Sequence, residues 1–225
     1  MSKKIRIGFI GAGGIAVVHY QRTKPIKEAQ IVAIVEPSDT SLKNFYSRCP
    51  EAKQLPVYKD FKDMIKKEEL DGVYILSPHS LHFEQIMYSL DSGLHVLTEK
   101  PMVSSIVHAK KVIEKSRKVG KVLMISYQRH FESPFRYMRS QIQKGTIGEV
   151  QFIQALLSQE WLRLTRNTWR QDPALSCGGQ LNDSGSHFID IMMWMTGLKV
   201  KEVFAKMEFF DAKVDINSAL TLVFE

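Results

Sequence analysis

The feature that most restricts what this chain can fold into is a glycine turn held between two short apolar runs, within residues 4–36. Ile5, Ile7, Phe9 and Ile10 form an almost uninterrupted apolar run, as a strand buried on both faces requires. The run leads into Gly11-Ala12-Gly13-Gly14-Ile15-Ala16, which opens a segment of helical character. A second apolar run, Ile31-Val32-Ala33-Ile34-Val35, then ends on Glu36. Strand, glycine turn, helix, strand and acid, in that order, make up the βαβ unit of a dinucleotide-binding fold. Gly11 permits the tight turn, Gly13 lets the backbone approach a pyrophosphate, and small Ala16 lets the helix pack close to the sheet. The free N–H groups where Gly14 and Ile15 open the helix are suited to bind phosphate. Glu36 would accept hydrogen bonds from the adenosine ribose hydroxyls and repel a 2′-phosphate, so NAD is expected rather than NADP.

Past Glu36, strand-like and helical stretches continue to alternate. Ser38, Asp39, Thr40 and Ser41 read as a helix start, and a helix is expected over 61–69. Apolar runs at 55–58, 72–76, 95–97 and 122–126 read as strands, with helices ending near Leu90 and over 104–119. Such alternation predicts an α/β fold with a parallel, doubly wound sheet, whose ligands lie beyond the carboxyl ends of the strands. The pattern changes near Gln128. A helix is expected over 134–143, a long strand over 150–157, a tryptophan-bearing loop over 161–173, and a helix over 181–195. Strands over 200–210 and 219–224 close the chain. Two domains follow: residues 1–127, a Rossmann domain, and residues 128–225, an α+β domain with an antiparallel-leaning mixed sheet.

The 225 residues are 44% hydrophobic, enough for globular cores, and no apolar run approaches the length of a membrane span. Met1-Ser2-Lys3-Lys4 runs directly into the first strand without an apolar leader, so a cytoplasmic protein is expected. Cys49 and Cys177 are far apart and read as free thiols. The net charge of +7 is scattered. Its densest group, Lys110, Lys111, Lys115, Arg117, Lys118 and Lys121, interleaves with Ile106, Ala109, Val112 and Ile113 at helical spacing, as a solvated helix face does. Nucleic acid is therefore not an expected partner.

Candidate chemistry concentrates in three places. Asp183, His187 and Asp190 fall at i, i+4 and i+7 of the expected helix. Asp183 so near a helix start could cap it, but His187 one turn away strengthens the functional reading, in which the carboxylate orients an imidazole acting as a general base. Lys100 ends a buried strand between Glu99 and Pro101, where an ammonium could stabilise negative charge on a substrate oxygen. Pro101 favours an unusual peptide geometry beside it. His79 and His82 lack further ligands at metal spacing, so no metal is expected.

These motifs together resemble the glucose–fructose oxidoreductase/inositol dehydrogenase (Gfo/Idh/MocA) family. The resemblance rests on the glycine turn, Ser77-Pro78-His79-Ser80-Leu81-His82, Glu99-Lys100-Pro101, Tyr127-Gln128-Arg129, Trp169-Arg170, and the run from Gly178 through Asp183 and His187 to Asp190. It implies that Lys100, Asp183 and His187 are catalytic. It also implies that Ser77, His79, His82, Glu99, Lys100 and Gln128 lie along the cofactor, with Arg170 near its nicotinamide end. A sugar, inositol or related polyol would be the substrate, and the C-terminal sheet would mediate homo-oligomerisation. Members of that family are longer, with a larger second sheet, so this chain is expected to be truncated and its substrate domain incomplete. Two other readings stay open: a non-catalytic cofactor-binding sensor, and an NAD-dependent glycosidase on the same fold.

Overall fold

The apolar runs of the first half assemble into one six-stranded parallel sheet. Its strands are β1 (Ile5–Ile10), β2 (Ala29–Val35), β3 (Val57–Tyr58), β4 (Gly72–Ile75), β5 (His95–Thr98) and β6 (Leu123–Ile125), in the order β3-β2-β1-β4-β5-β6. Every pairing is parallel. Between them run α1 (Gly14–Thr23), α2 (Asp39–Arg48), α3 (Phe61–Lys67), α4 (His82–Asp91) and α5 (Ile106–Val119). The computed structural model describes residues 3–225, which divide into two compact units, the first ending at Ser126 and the second spanning Tyr127–Glu225. The doubly wound α/β architecture expected from the sequence is present, and its strand order reverses between β1 and β4, where such sheets bind ligands.

Alternation along the central strands feeds a separate core on each face. Phe9 and Ile34 join Ala16, Val17, Tyr20 and Phe45 on one side. Ile10, Ala33 and Val35 join Met64, Ile75, Ile86, Leu90 and Val112 on the other. Phe9 has no exposed surface, meets Tyr20 edge-on at 6.4 Å and stacks on Tyr74 at 5.3 Å. Burying each such side chain contributes about 1.5–3 kcal/mol. In α1 the buried positions Ala16, Val17, Tyr20 and Thr23 share one face, so the glycine turn is fixed by packing directly behind it.

Side-chain caps set the starts of α2, α3 and α5. The Ser38 hydroxyl accepts from the Ser41 N–H, Asp60 from Lys62, and Ser105 from His108. In α5 only Val112 is fully buried, while Lys110, Lys111, Arg117 and Lys118 are exposed and Lys115 pairs with Asp91 at 2.6 Å. The basic stretch is a solvated helix face.

The second unit holds α6 (Ser133–Gln143), α7 (Trp161–Leu164), α8 (Pro173–Ser176), α9 (Ser186–Thr196) and an antiparallel pair, β7 (Val200–Glu208) and β8 (Asn217–Phe224), in which Val203 faces Leu222. Two expectations are corrected. The strand expected over 150–157 is absent, and Phe152 and Leu156 are 81% and 84% exposed. An apolar run becomes a strand only by pairing, and among the described residues this unit's sheet has two strands, neither paired to that run. The helix expected over 181–195 starts as a π turn, Leu181–Gly185, before α9. A small core of Trp161, Val214 and Ile216 supports this region. No helix among the described residues is long and apolar enough to cross a membrane.

Candidate functional site

The glycine turn separates into a crowded side and an open side. Gly11 has φ +106°, a conformation that side chains rarely tolerate, and a Cβ there would lie 2.9 Å from the Leu76 backbone. A Cβ on Gly13 or Gly14 would meet nothing within 4 Å. Gly13 is the N-cap of α1, and no side chain caps that end. Backbone N–H groups without a side-chain cap, beside open space, fit the diphosphate of a dinucleotide. Ala16 is wholly buried at the helix–sheet contact, and Ile15 is exposed. Glu36, 8% exposed, accepts from the Ala12 N–H through Oε2 at 2.8 Å and from the Ser38 N–H through Oε1 at 2.9 Å. The acid thus ties the glycine turn to the start of α2 and keeps lone pairs to spare.

At the carboxyl end of β4, the Ser77 hydroxyl donates to Gln85 Oε1 at 2.6 Å. His79 is buried in the short turn His79–Leu81, its ring 5.9 Å from that of His82. His82 is fully buried between two carbonyls, with Nδ1 2.8 Å from Pro101 O and Nε2 3.0 Å from Ser77 O. Burial pushes its pKa down against the pull of those carbonyls. His82 therefore bridges the turn after β4 and the turn after β5.

The turn after β5 carries Glu99 and Lys100, and the Lys100–Pro101 peptide bond is cis. Glu99 Oε1 lies 2.8 Å from His19 Nε2, and Oε2 accepts from the Lys100 N–H at 3.3 Å. Burial alone would raise the Glu99 pKa, but His19, the Ser126 hydroxyl and the Lys100 charge outweigh it and hold the carboxyl below its ordinary range.

In the second unit, Gln128 opens the turn Gln128–Phe131. Asp183 is 7% exposed, and its Oδ2 accepts from Trp161 Nε1 at 3.1 Å and from Arg170 Nε at 3.0 Å. The Arg170 guanidinium also lies 4.6 Å from the Trp169 ring. Asp183 does not cap α9, whose N-cap is Gly185. It stands in the π turn Leu181–Gly185, and such turns recur at functional sites. His187 lies on the first turn of α9, its ring perpendicular to Tyr127 at 5.9 Å. Asp190 is engaged by His130 at 2.7 Å; burial raises its pKa, and His130 opposes the shift.

Two residues were missed by the sequence reading. His19 reaches Glu99 as above. Asp215 accepts from the Gly179 N–H at 2.7 Å and the Leu181 N–H at 2.8 Å, while its carbonyl accepts from Gln180 at 2.9 Å. A Cβ on Gly179 would sit 1.9 Å from that carbonyl oxygen, so only glycine fits the brace behind the π turn. Neither contact has a local signature; its partners meet only in the folded chain.

The reversal of strand order beside an open, uncapped glycine turn defines the first unit as a dinucleotide-binding α/β domain. The chain belongs to the GFO/IDH/MocA oxidoreductase family. Residues 5–127 match the family described as oxidoreductase family, NAD-binding Rossmann fold, and residues 135–225 match the GFO/IDH/MocA C-terminal domain. The chain is 27% identical over 208 residues to the myo-inositol 2-dehydrogenase of Thermotoga maritima, covering 89% of this chain and 58% of that protein. It is 28% identical over 202 residues to the D-glucoside 3-dehydrogenase of Escherichia coli, covering 87% and 55%. An uncharacterized oxidoreductase of Bacillus subtilis, YrbE, is 26% identical over the whole of this chain and 65% of its own length. The fold is shared with the WlbA dehydrogenase of Bordetella pertussis, with a TM-score of 0.87 over 99% of this chain and 66% of that one at 21% identity. The chain spans less than two thirds of the length of each of these proteins.

Proposed function

We propose that this chain forms the cofactor domain and part of the substrate domain of an NAD-dependent dehydrogenase that oxidises a secondary hydroxyl of a sugar, inositol or related polyol. The observation that carries the reading is the open glycine turn closed by a buried Glu36, in a chain that also has Lys100 after β5, Asp183 in the π turn and His187 at the start of α9. When bound, the nicotinamide supplies a hydride acceptor. A secondary alcohol becomes a ketone by losing hydride from carbon and a proton from oxygen, so the protein must hold that oxygen and take that proton. Lys100 donates a hydrogen bond to the reacting oxygen and stabilises its alkoxide character. The imidazole of His187 takes the hydroxyl proton as general base. Asp183, held by Trp161 and Arg170, keeps a fixed carboxylate with which to orient that imidazole. Glu36 selects NAD by bonding the ribose and repelling a 2′-phosphate.

A panel of sugars and inositols with added NAD, followed by NADH absorbance on the full-length protein, tests the reading. Net NADH formation with a free polyol is expected. Its absence across the panel, with NAD binding intact, would favour a cofactor-binding or glycosidase role instead.

A further inference from the structure

His19 stands in the second turn of α1, the helix whose uncapped start fits a diphosphate. Its Nε2 lies 2.8 Å from Glu99 Oε1, and the two side chains are 16% and 12% exposed. Tyr74 meets the imidazole edge-on at 5.6 Å and itself stacks on Phe9, so the ring rests against a packed wall. The other Glu99 oxygen accepts from the Lys100 N–H, and the Glu99 N–H donates to Ile75 O at 2.9 Å. Glu99 is therefore held by α1, by β4 and by its own neighbour, leaving little freedom to the backbone from which Lys100 projects.

We propose that His19 is a positioning residue: acting through Glu99, it sets the direction of the Lys100 side chain and couples the cofactor-binding helix to that lysine. The proposal rests on the reading of Lys100 as the group that holds the substrate oxygen. With its proton on Nε2, the imidazole donates to Glu99 Oε1. The Glu99 carboxyl, held below its ordinary range, places negative charge beside Lys100. A helix that settles around phosphate would thereby also settle the lysine.

The test uses the full-length protein with NAD bound and three variants. His19→Phe keeps the packing against Tyr74 and removes the donor. His19→Gln keeps a donor of similar reach. His19→Asn is too short to reach and serves if His19→Phe does not fold. The first readout is the rate at which a trace amine-directed reagent labels Lys100, followed by peptide mass spectrometry, with Lys110 and Lys118 as internal standards. In His19→Phe the Lys100 rate is expected to change by about threefold or more, with the standards unchanged, and His19→Gln is expected to restore it. The second readout is kinetic: turnover is expected to fall by about tenfold while the NAD dissociation constant stays within about threefold, with recovery in His19→Gln. Unchanged Lys100 labelling in a folded His19→Phe or His19→Asn protein would overturn the proposal, as would a His19→Gln variant as impaired as His19→Phe. NAD affinity falling in step with turnover would place His19 in the cofactor cradle and overturn it too. If the unaltered protein oxidises no polyol, the proposed function fails, and the labelling result still decides the role of His19.

Discussion

At Glu36 both carboxylate oxygens are taken by main-chain N–H groups, from Ala12 and Ser38, and a ribose would share them. Replacing Glu36 with serine removes the charge that disfavours a 2′-phosphate, and it also strands those two N–H groups at a cost of about 1–3 kcal/mol for each that stays buried. The expected outcome is a narrower gap between NAD and NADP affinities together with a lower melting temperature. Calorimetry with both cofactors checks this, and equal affinities in the unaltered protein would contradict the role given to Glu36. Gly179 offers a second residue-scale test. Its Cβ would collide with Asp215 O, so Gly179→Ala is expected to destabilise the second unit by about 2–3 kcal/mol, read as a loss in urea unfolding midpoint. An unchanged midpoint would show that the brace yields at little cost.

At the scale of elements, Glu99 gives the first unit a pH dependence whose direction is set. Its pKa is lowered from the ordinary value of 4.5, so the folded state gains stability from the ionised carboxylate above that pH. The gain is lost as pH falls from about 4.5 through the lower folded value. Glu99→Gln is expected to flatten the dependence of melting temperature on pH in that window; an unchanged slope would contradict it. The same scale shows what the sequence could and could not disclose. The strand, glycine turn, helix and acid of residues 5–36 were legible because each signal is local: apolar runs, a turn that needs Gly11, and caps such as Ser38. Lys100 and His187 were singled out through motifs. The irregular 150–157 run was not legible, because its composition is that of a strand and only a missing partner decides otherwise. The π turn under Asp183 shifts the backbone register, which no side-chain pattern records. The His19–Glu99 and Asp215–Gly179 contacts join residues 80 and 36 positions apart, so only the folded chain brings them together.

For the molecule as a whole, the two units differ in how well they cover their apolar surface. The first has two cores, on opposite faces of its sheet. The second has one small cluster and a two-stranded sheet, and it exposes Phe152, Leu156, Val203, Phe204 and Phe210 by more than half. Exposed apolar area of that kind promotes association, so the 225-residue chain is expected to scatter light with a mass above that of one copy. A single-copy mass at micromolar concentration would contradict this. If Lys100 acts on the reacting oxygen and not on cofactor affinity, Lys100→Met in the full-length protein separates the two. NADH formation from an oxidised polyol and NAD affinity would be measured on the same preparation. NAD binding is expected within about threefold of the unaltered protein and turnover lower by about a thousandfold, because the lost interaction belongs to the transition state. Near-normal turnover in Lys100→Met would contradict it.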